Sequence, residues 1–386
     1  MQPRSAAAAL SSETAIAVRV HITNVTGAGL GAVQLVKSLL PALETSVGFR
    51  VEEIYLPASG ELSQYRRITP GVAPVRYRRF APNAVSRLLE CTIFGRRFDG
   101  ETPLLILGDL PLNARSTQIL FVQTPLLAGG HGTASRLGRL KYQLARLVFM
   151  ANFRFVSRVI VQTAAMRSGM EADFRQTRGS IMIIPQPAPE WLIASGLRRD
   201  GRVVEPSANL HLFYPAADYP HKNHRLLADL SGTDAAALPL KNFTLTLADK
   251  SNPNRRVPWI TCVGELRPAE VLDYYRLVDA IVVLSKAESY GLPLVEAMWV
   301  GLPIVCPDLP YARALCGDGA IYFEPTDINS LAAAILNLRD RIRSGWWPDW
   351  TAQLRRIPLS WEQVARAMLN EVAKCRALHD GNSRIR

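Results

Sequence analysis

One stretch concentrates residues that could do chemistry: Leu284-Ser285-Lys286-Ala287-Glu288-Ser289-Tyr290-Gly291-Leu292-Pro293-Leu294-Val295-Glu296-Ala297-Met298. An apolar run ends near Ser285, and Gly291 lets the backbone approach a ligand closely. Pro293 suits the first turn of a helix, and Gly301 suits its end. A helix starting at the carboxyl end of a parallel strand offers unpaired N–H groups and a positive dipole end, which suits a diphosphate. Glu288 lies just before that anion site and Glu296 one turn into the helix. Carboxylates there can accept hydrogen bonds from hydroxyls on either side of a phosphate. The spacing alone is weak, because Glu44 with Glu52 and Glu53 with Glu61 repeat it outside any such setting.

The elements that would position this segment alternate between strand and helix, the pattern of an α/β protein with parallel sheets. Strands are expected at 17–22, 104–108, 119–122, 159–161 and 181–184, with a Gly-rich turn (Gly27, Gly29, Gly31) and a helix over 32–43 after the first. A second series is expected at 210–214, 244–247, 259–263, 280–284 and 303–306. Between the series, Pro185-Gln186-Pro187-Ala188-Pro189 cannot continue a helix or a central strand. Two α/β domains are therefore expected, 1–187 and 188–360, with a C-terminal helix and tail over 361–386. Ser360 with Gln363 reads as a capping box for that helix. Ligands of such sheets bind beyond the carboxyl ends of the strands, so the cleft between two such domains is the expected site. Trp346, Trp347 and Trp350 read as packing anchors.

Composition narrows the function classes. The 386 residues are 48% apolar and 20% charged, a globular mixture of a length for two domains. No apolar run is long enough for a membrane-spanning helix, and the first ten residues are too polar for a secretory signal. Five scattered cysteines fit neither a disulfide scaffold nor a cysteine zinc site. A cytoplasmic protein is expected, with the inner face of the plasma membrane as an alternative. The net charge is +12, and no acidic residue lies between Glu61 and Glu90 or between Asp109 and Glu171. So basic a surface attracts something anionic, unless it serves only solubility.

Residues 284–306 resemble the C-terminal signature of retaining glycosyltransferases of family 4, which have the GT-B fold of two facing Rossmann-like domains. Supporting similarities are Tyr214-Pro215 with Pro220-His221-Lys222-Asn223, Gly264-Glu265 with Tyr274-Tyr275 and Val278-Asp279-Ala280, and the segments 308–312 and 316–323. The resemblance covers about 210–335; the first half matches in outline, through its Gly-rich turn. It implies a cleft between the domains and a C-terminal helix that crosses back to the first. It also implies roles. Glu288 would contact hydroxyls of the donor sugar, and the N–H groups of Gly291 and Leu292 the phosphate, with Ser289 and Tyr290 in the same loop. Glu296 would hold the ribose, and Gly264, Glu265 and Leu266 would lie beside the base. Lys222 would neutralise the departing diphosphate, a task for a fixed cation; otherwise it is an exposed lysine at a helix start. No cofactor or metal is implied, only a nucleotide-diphosphate sugar as donor substrate.

Two departures stand out. Ala216-Ala217-Asp218 holds no Arg where many members have one, so Lys222 acts with His221, His224 or Arg225, or alone. Ala314 stands where relatives often have Glu. In the first domain, Gly29 and Gly31 either approach the donor or acceptor, or simply make a tight turn. Gln123 stands near the place of a common histidine, with His131 eight residues on. No side chain reads as a covalent nucleophile, and the resemblance implies a front-face transfer with retention. The acceptor would be a saccharide or a lipid-linked saccharide, as in surface polysaccharide assembly, and the donor sugar a hexose or deoxyhexose such as mannose or rhamnose. Segment 136–158, basic and apolar at helical spacing, would lie on an anionic membrane surface or pack on its own sheet. The competing readings are an inactive sugar-nucleotide-binding subunit and a nucleic-acid-binding protein. No stacking platform or nucleic-acid motif supports the latter, and nucleic acid is not an expected partner. An epimerase would need acid and base residues that are not found.

Overall fold

The computed structural model describes residues 15–22, 30–58, 60–68, 75–77, 84–127, 136–199, 209–230 and 237–383. The chain divides into two compact units, residues 1–186 with 359–386, and residues 187–358.

The first unit holds strands β1 (Ile16–Ile22), β2 (Phe49–Pro57), β3 (Val75–Tyr77), β4 (Leu104–Leu107), β5 (Gln118–Phe121), β6 (Val156–Val161) and β7 (Ile181–Ile183). Its helices are α1 (Leu30–Glu44), α2 (Ala84–Cys91), α3 (Arg136–Asn152) and α4 (Ala164–Asp173). The strands form one parallel sheet in the order β3-β2-β1-β4-β5-β6-β7. Every residue of β4 and β5 is buried, as expected of strands covered on both faces.

The second unit starts with α5 (Glu190–Ser195) and contains β8 (Leu210–Tyr214), β9 (Leu240–Leu245), β10 (Ile260–Cys262), β11 (Ala280–Val282), β12 (Ile304–Pro307) and β13 (Ile321–Phe323). Its further helices are α6 (Pro268–Leu277), α7 (Leu292–Val300), α8 (Pro310–Cys316), α9 (Ile328–Arg343) and α10 (Thr351–Leu354). Its parallel sheet runs β10-β9-β8-β11-β12-β13. In both sheets the order reverses beside the first strand, the arrangement of a Rossmann-like domain. The last helix, α11 (Trp361–Ser383), belongs to the first unit and packs on α1 and β6. Its Glu371, buried, pairs with Arg158 of β6 at 3.3 Å and with Lys374 at 2.6 Å.

Three local expectations are corrected. β9 spans 240–245, not 244–247. Its first residues include polar Lys241 and Asn242, tolerable near the start of a strand; Lys241 is exposed. Thr246 leaves the ladder to bond both peptide groups of Ala216 with its hydroxyl. Strands β2 and β3 were not expected: Arg50, Glu52 and Glu53 break the apolar run of β2, and β3 is three residues long with Arg76 at its centre. At the start of α11 the side-chain oxygen of Gln363 accepts from Leu359 N–H rather than from Ser360, which bonds Glu362 instead. Among the described residues no helix is long and apolar enough to cross a membrane.

Trp347 and Trp350 donate their indole N–H groups to the carbonyls of Gly301 and Leu302, at 2.7 and 2.9 Å. They thus anchor the exit of α7. Gly301 there has φ +91°, and a Cβ on it would lie 2.1 Å from the Arg199 carbonyl oxygen. Gly301→Ala should therefore destabilise the protein by about 2 kcal/mol or more, seen as a thermal melting point several degrees lower. An unchanged melt would contradict this packing.

Candidate active site

Two loops leave the second sheet from adjacent strands at the reversal point, one after β8 and one after β11. The first carries Lys222 on a short turn, Pro220–Lys222. The next residue, Asn223, is left-handed with φ 59°, a conformation Asn tolerates better than most residues. Its Nδ2 donates to the Pro325 carbonyl at 3.0 Å, which pins the turn. The Tyr214 hydroxyl donates to the Lys222 carbonyl at 3.0 Å and shares a 2.7 Å hydrogen bond with Ser285 Oγ. A phenol has one proton, so Ser285 is the donor in that second bond. Lys286 N–H donates to the His221 carbonyl at 2.8 Å. Tyr311 closes the set by donating to the Ser285 carbonyl at 2.7 Å. The two loops are stitched together through backbone and buried hydroxyls.

This stitching brings Lys222 and Glu288 together. Their side chains are 15% and 11% exposed, and Nζ lies 2.5 Å from Oε1. A charge so withdrawn from water needs a partner, and each supplies the other's. Three residues on, Gly291 takes φ +91° and caps α7, a conformation costly for any residue with a Cβ. Pro293 has no N–H, and Leu294 N–H bonds back to the Gly291 carbonyl. The peptide N–H groups of Gly291 and Leu292 are thus the ones this helix start can offer an anion. The Tyr290 ring is buried in the core, so its peptide group is what it can offer a ligand. Ser289 is half-buried.

Glu296, in the second turn of α7, is buried and accepts a hydrogen bond from Tyr275 of α6. Burial pushes its carboxyl up from the usual 4.5 to about 7, while the Tyr275 hydroxyl works the other way. Gly264, just beyond β10, donates its N–H to the Leu247 carbonyl at 2.7 Å, at the same carboxyl edge. Burial and the Glu265 carboxylate together raise the Tyr219 phenol, so Glu265 lies within electrostatic reach of the Lys222 loop. Leu266 beside them is half-buried and packs on the core.

The neighbours named as helpers for Lys222 separate clearly. Burial, and then the Lys222 charge, lower His221; burial lowers His224 to about 4. Both rings are neutral at pH 7. Arg225 is exposed. Of this group, Lys222 supplies the fixed cation.

In the first unit, Gly29 and His131 lie outside the described residues. Gly31 is the second residue of α1 and is exposed. Gln123 stands just past the end of β5, half-buried. Its N–H and that of Thr124 donate to Asp109 Oδ1 at 2.7 and 2.9 Å, and Asp109 faces Arg87 at 3.3 Å. Sequence reasoning gave no role to Asp109, Tyr275 or Ser285, because nothing in their local pattern marks a long-range hydrogen bond. Among the described residues no three His, Cys, Asp or Glu side chains are grouped to hold a metal ion.

Residues 222–341 match the family model of glycosyl transferases group 1. Over the chain as a whole, sucrose-phosphate synthase from Thermosynechococcus elongatus superposes with a TM-score of 0.63 at 15% identity, covering 94% of this chain and 100% of that one. HepE from Anabaena, solved with UDP and glucose, gives 0.58 at 15% identity, covering 93% and 100%. The chain has the GT-B fold of these structures, and its residues 222–341 are similar to the glycosyl transferases group 1. The group 1 match begins at Lys222 and includes Glu288, Gly291 and Glu296. O-antigen chain mannosyltransferase B of Escherichia coli is 32% identical over 119 residues, 30% of each chain. O-antigen chain mannosyltransferase RfbU of Salmonella typhimurium is 28% identical over 134 residues, 34% of this chain and 35% of that one. The chain thus spans about a third of the length of these curated relatives.

The buried Glu296 gives a pH signature. Its folded-state value, about 7, lies above the usual 4.5, so its contribution to stability is complete below pH 4.5 and is lost as pH rises through 7. Glu296→Gln lacks this dependence. Across that window wild type should lose stability relative to the variant by on the order of 3 kcal/mol, read by urea unfolding. Parallel curves would mean an ordinary carboxylate.

Proposed function

We propose that the protein is a retaining glycosyltransferase that moves a hexose or deoxyhexose, mannose or rhamnose for example, from a nucleotide-diphosphate sugar to a saccharide or lipid-linked saccharide acceptor in surface polysaccharide assembly. The observation that carries this reading is the Lys222–Glu288 pair held beside the start of α7 at the reversal point of the second sheet. The mannosyltransferase names of the relatives support the sugar class and the setting.

In this reading the donor diphosphate lies against the N–H groups of Gly291 and Leu292, with the ribose hydroxyls on Glu296 and the base beside 264–266. Glu288 accepts hydrogen bonds from hydroxyls of the donor sugar. The bond from the anomeric carbon to the phosphate oxygen breaks, and negative charge gathers on the leaving diphosphate. The Lys222 ammonium and the α7 dipole stabilise that charge where it develops. The acceptor oxygen bonds to the anomeric carbon from the same face, and its proton passes to a phosphate oxygen of the leaving group. Configuration is retained, as the resemblance to family 4 implies, and no protein nucleophile takes part.

Thermal stability against a panel of nucleoside diphosphates tests the donor site. A ligand at roughly 100 times its Kd should stabilise by about 2.7 kcal/mol. One nucleotide should produce the shift, and Glu296→Ala should reduce it. With that donor, Lys222→Ala should lower kcat by about two to three orders of magnitude while leaving a folded protein. A folded protein that responds to no nucleotide would overturn the donor site.

A further inference from the structure

The sheet order of the second unit sets the path of a nucleotide bound as proposed above. Helix α7 follows β11, whereas residues 264–266 follow β10, and β8 and β9 lie between those two strands. A nucleotide with its phosphates at the start of α7 and its base beside 264–266 therefore crosses the loops that leave β8 and β9. These loops are tied into one edge. The Thr246 hydroxyl bonds both peptide groups of Ala216, and Gly264 N–H donates to the Leu247 carbonyl at 2.7 Å. Tyr219 stands on the first of these loops, three residues before Lys222. Its N–H donates to the Ala217 carbonyl at 2.8 Å, and its carbonyl accepts from Lys222 N–H at 2.9 Å, so the turn that carries the lysine also sets the tyrosine. The Tyr219 ring lies nearly parallel to that of His221, with centroids 5.6 Å apart and planes 10° apart, and the residue is 37% exposed.

Each of the three loops also carries a carboxylate: Asp218 after β8, Asp249 after β9 and Glu265 after β10. Their surroundings differ. Asp249 is paired with Arg255 at 2.7 Å. Arg267, two residues beyond Glu265, is bound instead to Glu270 at 3.1 Å. Among the described residues no cation is paired with Glu265. Glu265 is exposed, and it lies near enough to the Tyr219 phenol to help raise it. An aromatic ring and an uncommitted carboxylate thus face the same stretch of the carboxyl edge.

We propose that Tyr219 and Glu265 form the base subsite of the donor and that this subsite selects guanine. The inference rests on the donor reading above and adds the identity of the base. An aromatic face stacks on any base, so Tyr219 supplies affinity. Selection comes from the carboxylate, which only accepts hydrogen bonds. Guanine presents its N1–H and its 2-amino N–H side by side, and both donate, which matches the two oxygens of one carboxylate. Uracil sets its single N–H between two carbonyl oxygens. Adenine and cytosine set an acceptor nitrogen beside their amino group. Each of these edges turns a lone pair toward the carboxylate and is repelled.

The test is isothermal titration calorimetry of the full chain with guanosine, inosine, uridine and adenosine diphosphates. Guanosine diphosphate should bind about tenfold or more tightly than the uridine and adenosine forms, and more tightly than the inosine form, which lacks the 2-amino group. Glu265→Gln should weaken guanosine diphosphate by about tenfold and bring it level with inosine diphosphate. Tyr219→Ala should weaken all four by about tenfold, and Tyr219→Phe should bind them as wild type does. Both residues are exposed, so melting points without nucleotide should not change. Tightest binding of uridine or adenosine diphosphate, or a guanosine preference that survives Glu265→Gln, would overturn the base assignment and leave the donor site standing. So would a Tyr219→Ala that binds all four as wild type does. Binding of no nucleotide by the folded wild type would overturn the donor reading itself, and the base assignment with it.

Discussion

The second unit depends on the Tyr214 hydroxyl. It sits at the end of β8, fully buried, and joins the Lys222 carbonyl to the Ser285 side chain. Lys222 and Glu288 are 66 residues apart in the chain, yet their ion pair needs tenths of an ångström. The strand order supplies the coarse proximity, because β8 and β11 are neighbours where the order reverses. Hydrogen bonds between the two loops supply the fine placement. A lysine on an unpinned turn would spread its ammonium over several rotamers, and a large entropic penalty would attend each productive pose. Here the backbone at Lys222 is held from three sides: by Tyr214, by Asn223 through Pro325, and by Lys286 through His221.

The same logic extends along α7. Glu296 is a buried carboxyl with a tyrosine partner, and its position follows from how α7 enters and leaves. Gly291 turns the chain into the helix and Gly301 turns it out, each with a backbone that a Cβ would strain. The indoles of Trp347 and Trp350 then hold the exit. So the carboxyl that this reading gives to a ribose depends on packing contacts more than 40 residues away in sequence.

What could be read from the sequence follows from the range of the interactions. The helix start at 291–293 was legible, because Gly and Pro impose local backbone geometry. The α/β alternation was legible too, because β4, β5, β8 and β11 are short apolar runs between turn residues. β2 was not: its polar residues mask a strand that is buried over its second half. The Tyr275–Glu296 and Tyr214–Ser285 bonds were not legible either, since each joins residues on different elements. The neutrality of His221 and His224 was invisible as well, because it arises from burial. Segment 136–158 presented packing and surface exposure as alternatives, and the structure assigns them to different residues: Phe149 inward, Leu140, Leu144 and Leu147 outward.

The two units share a strand order, yet they differ in what that order is used for. In the second, the carboxyl edge is built from single side chains whose roles depend on position to within a bond length. Such chemistry leaves motifs, and the group 1 match accordingly lies within this unit. In the first, what stands out is a field and an area: arginines without acids between them, and a helix with apolar residues on two sides. A field sums over many charges, and apolar burial sums over many methyl groups, so neither requires a given residue at a given place. Composition reports such a surface where a motif search does not. The asymmetry of legibility between the units thus reflects an asymmetry of interaction: short-range and directional at Lys222, Glu288 and Glu296, long-range and additive along α3.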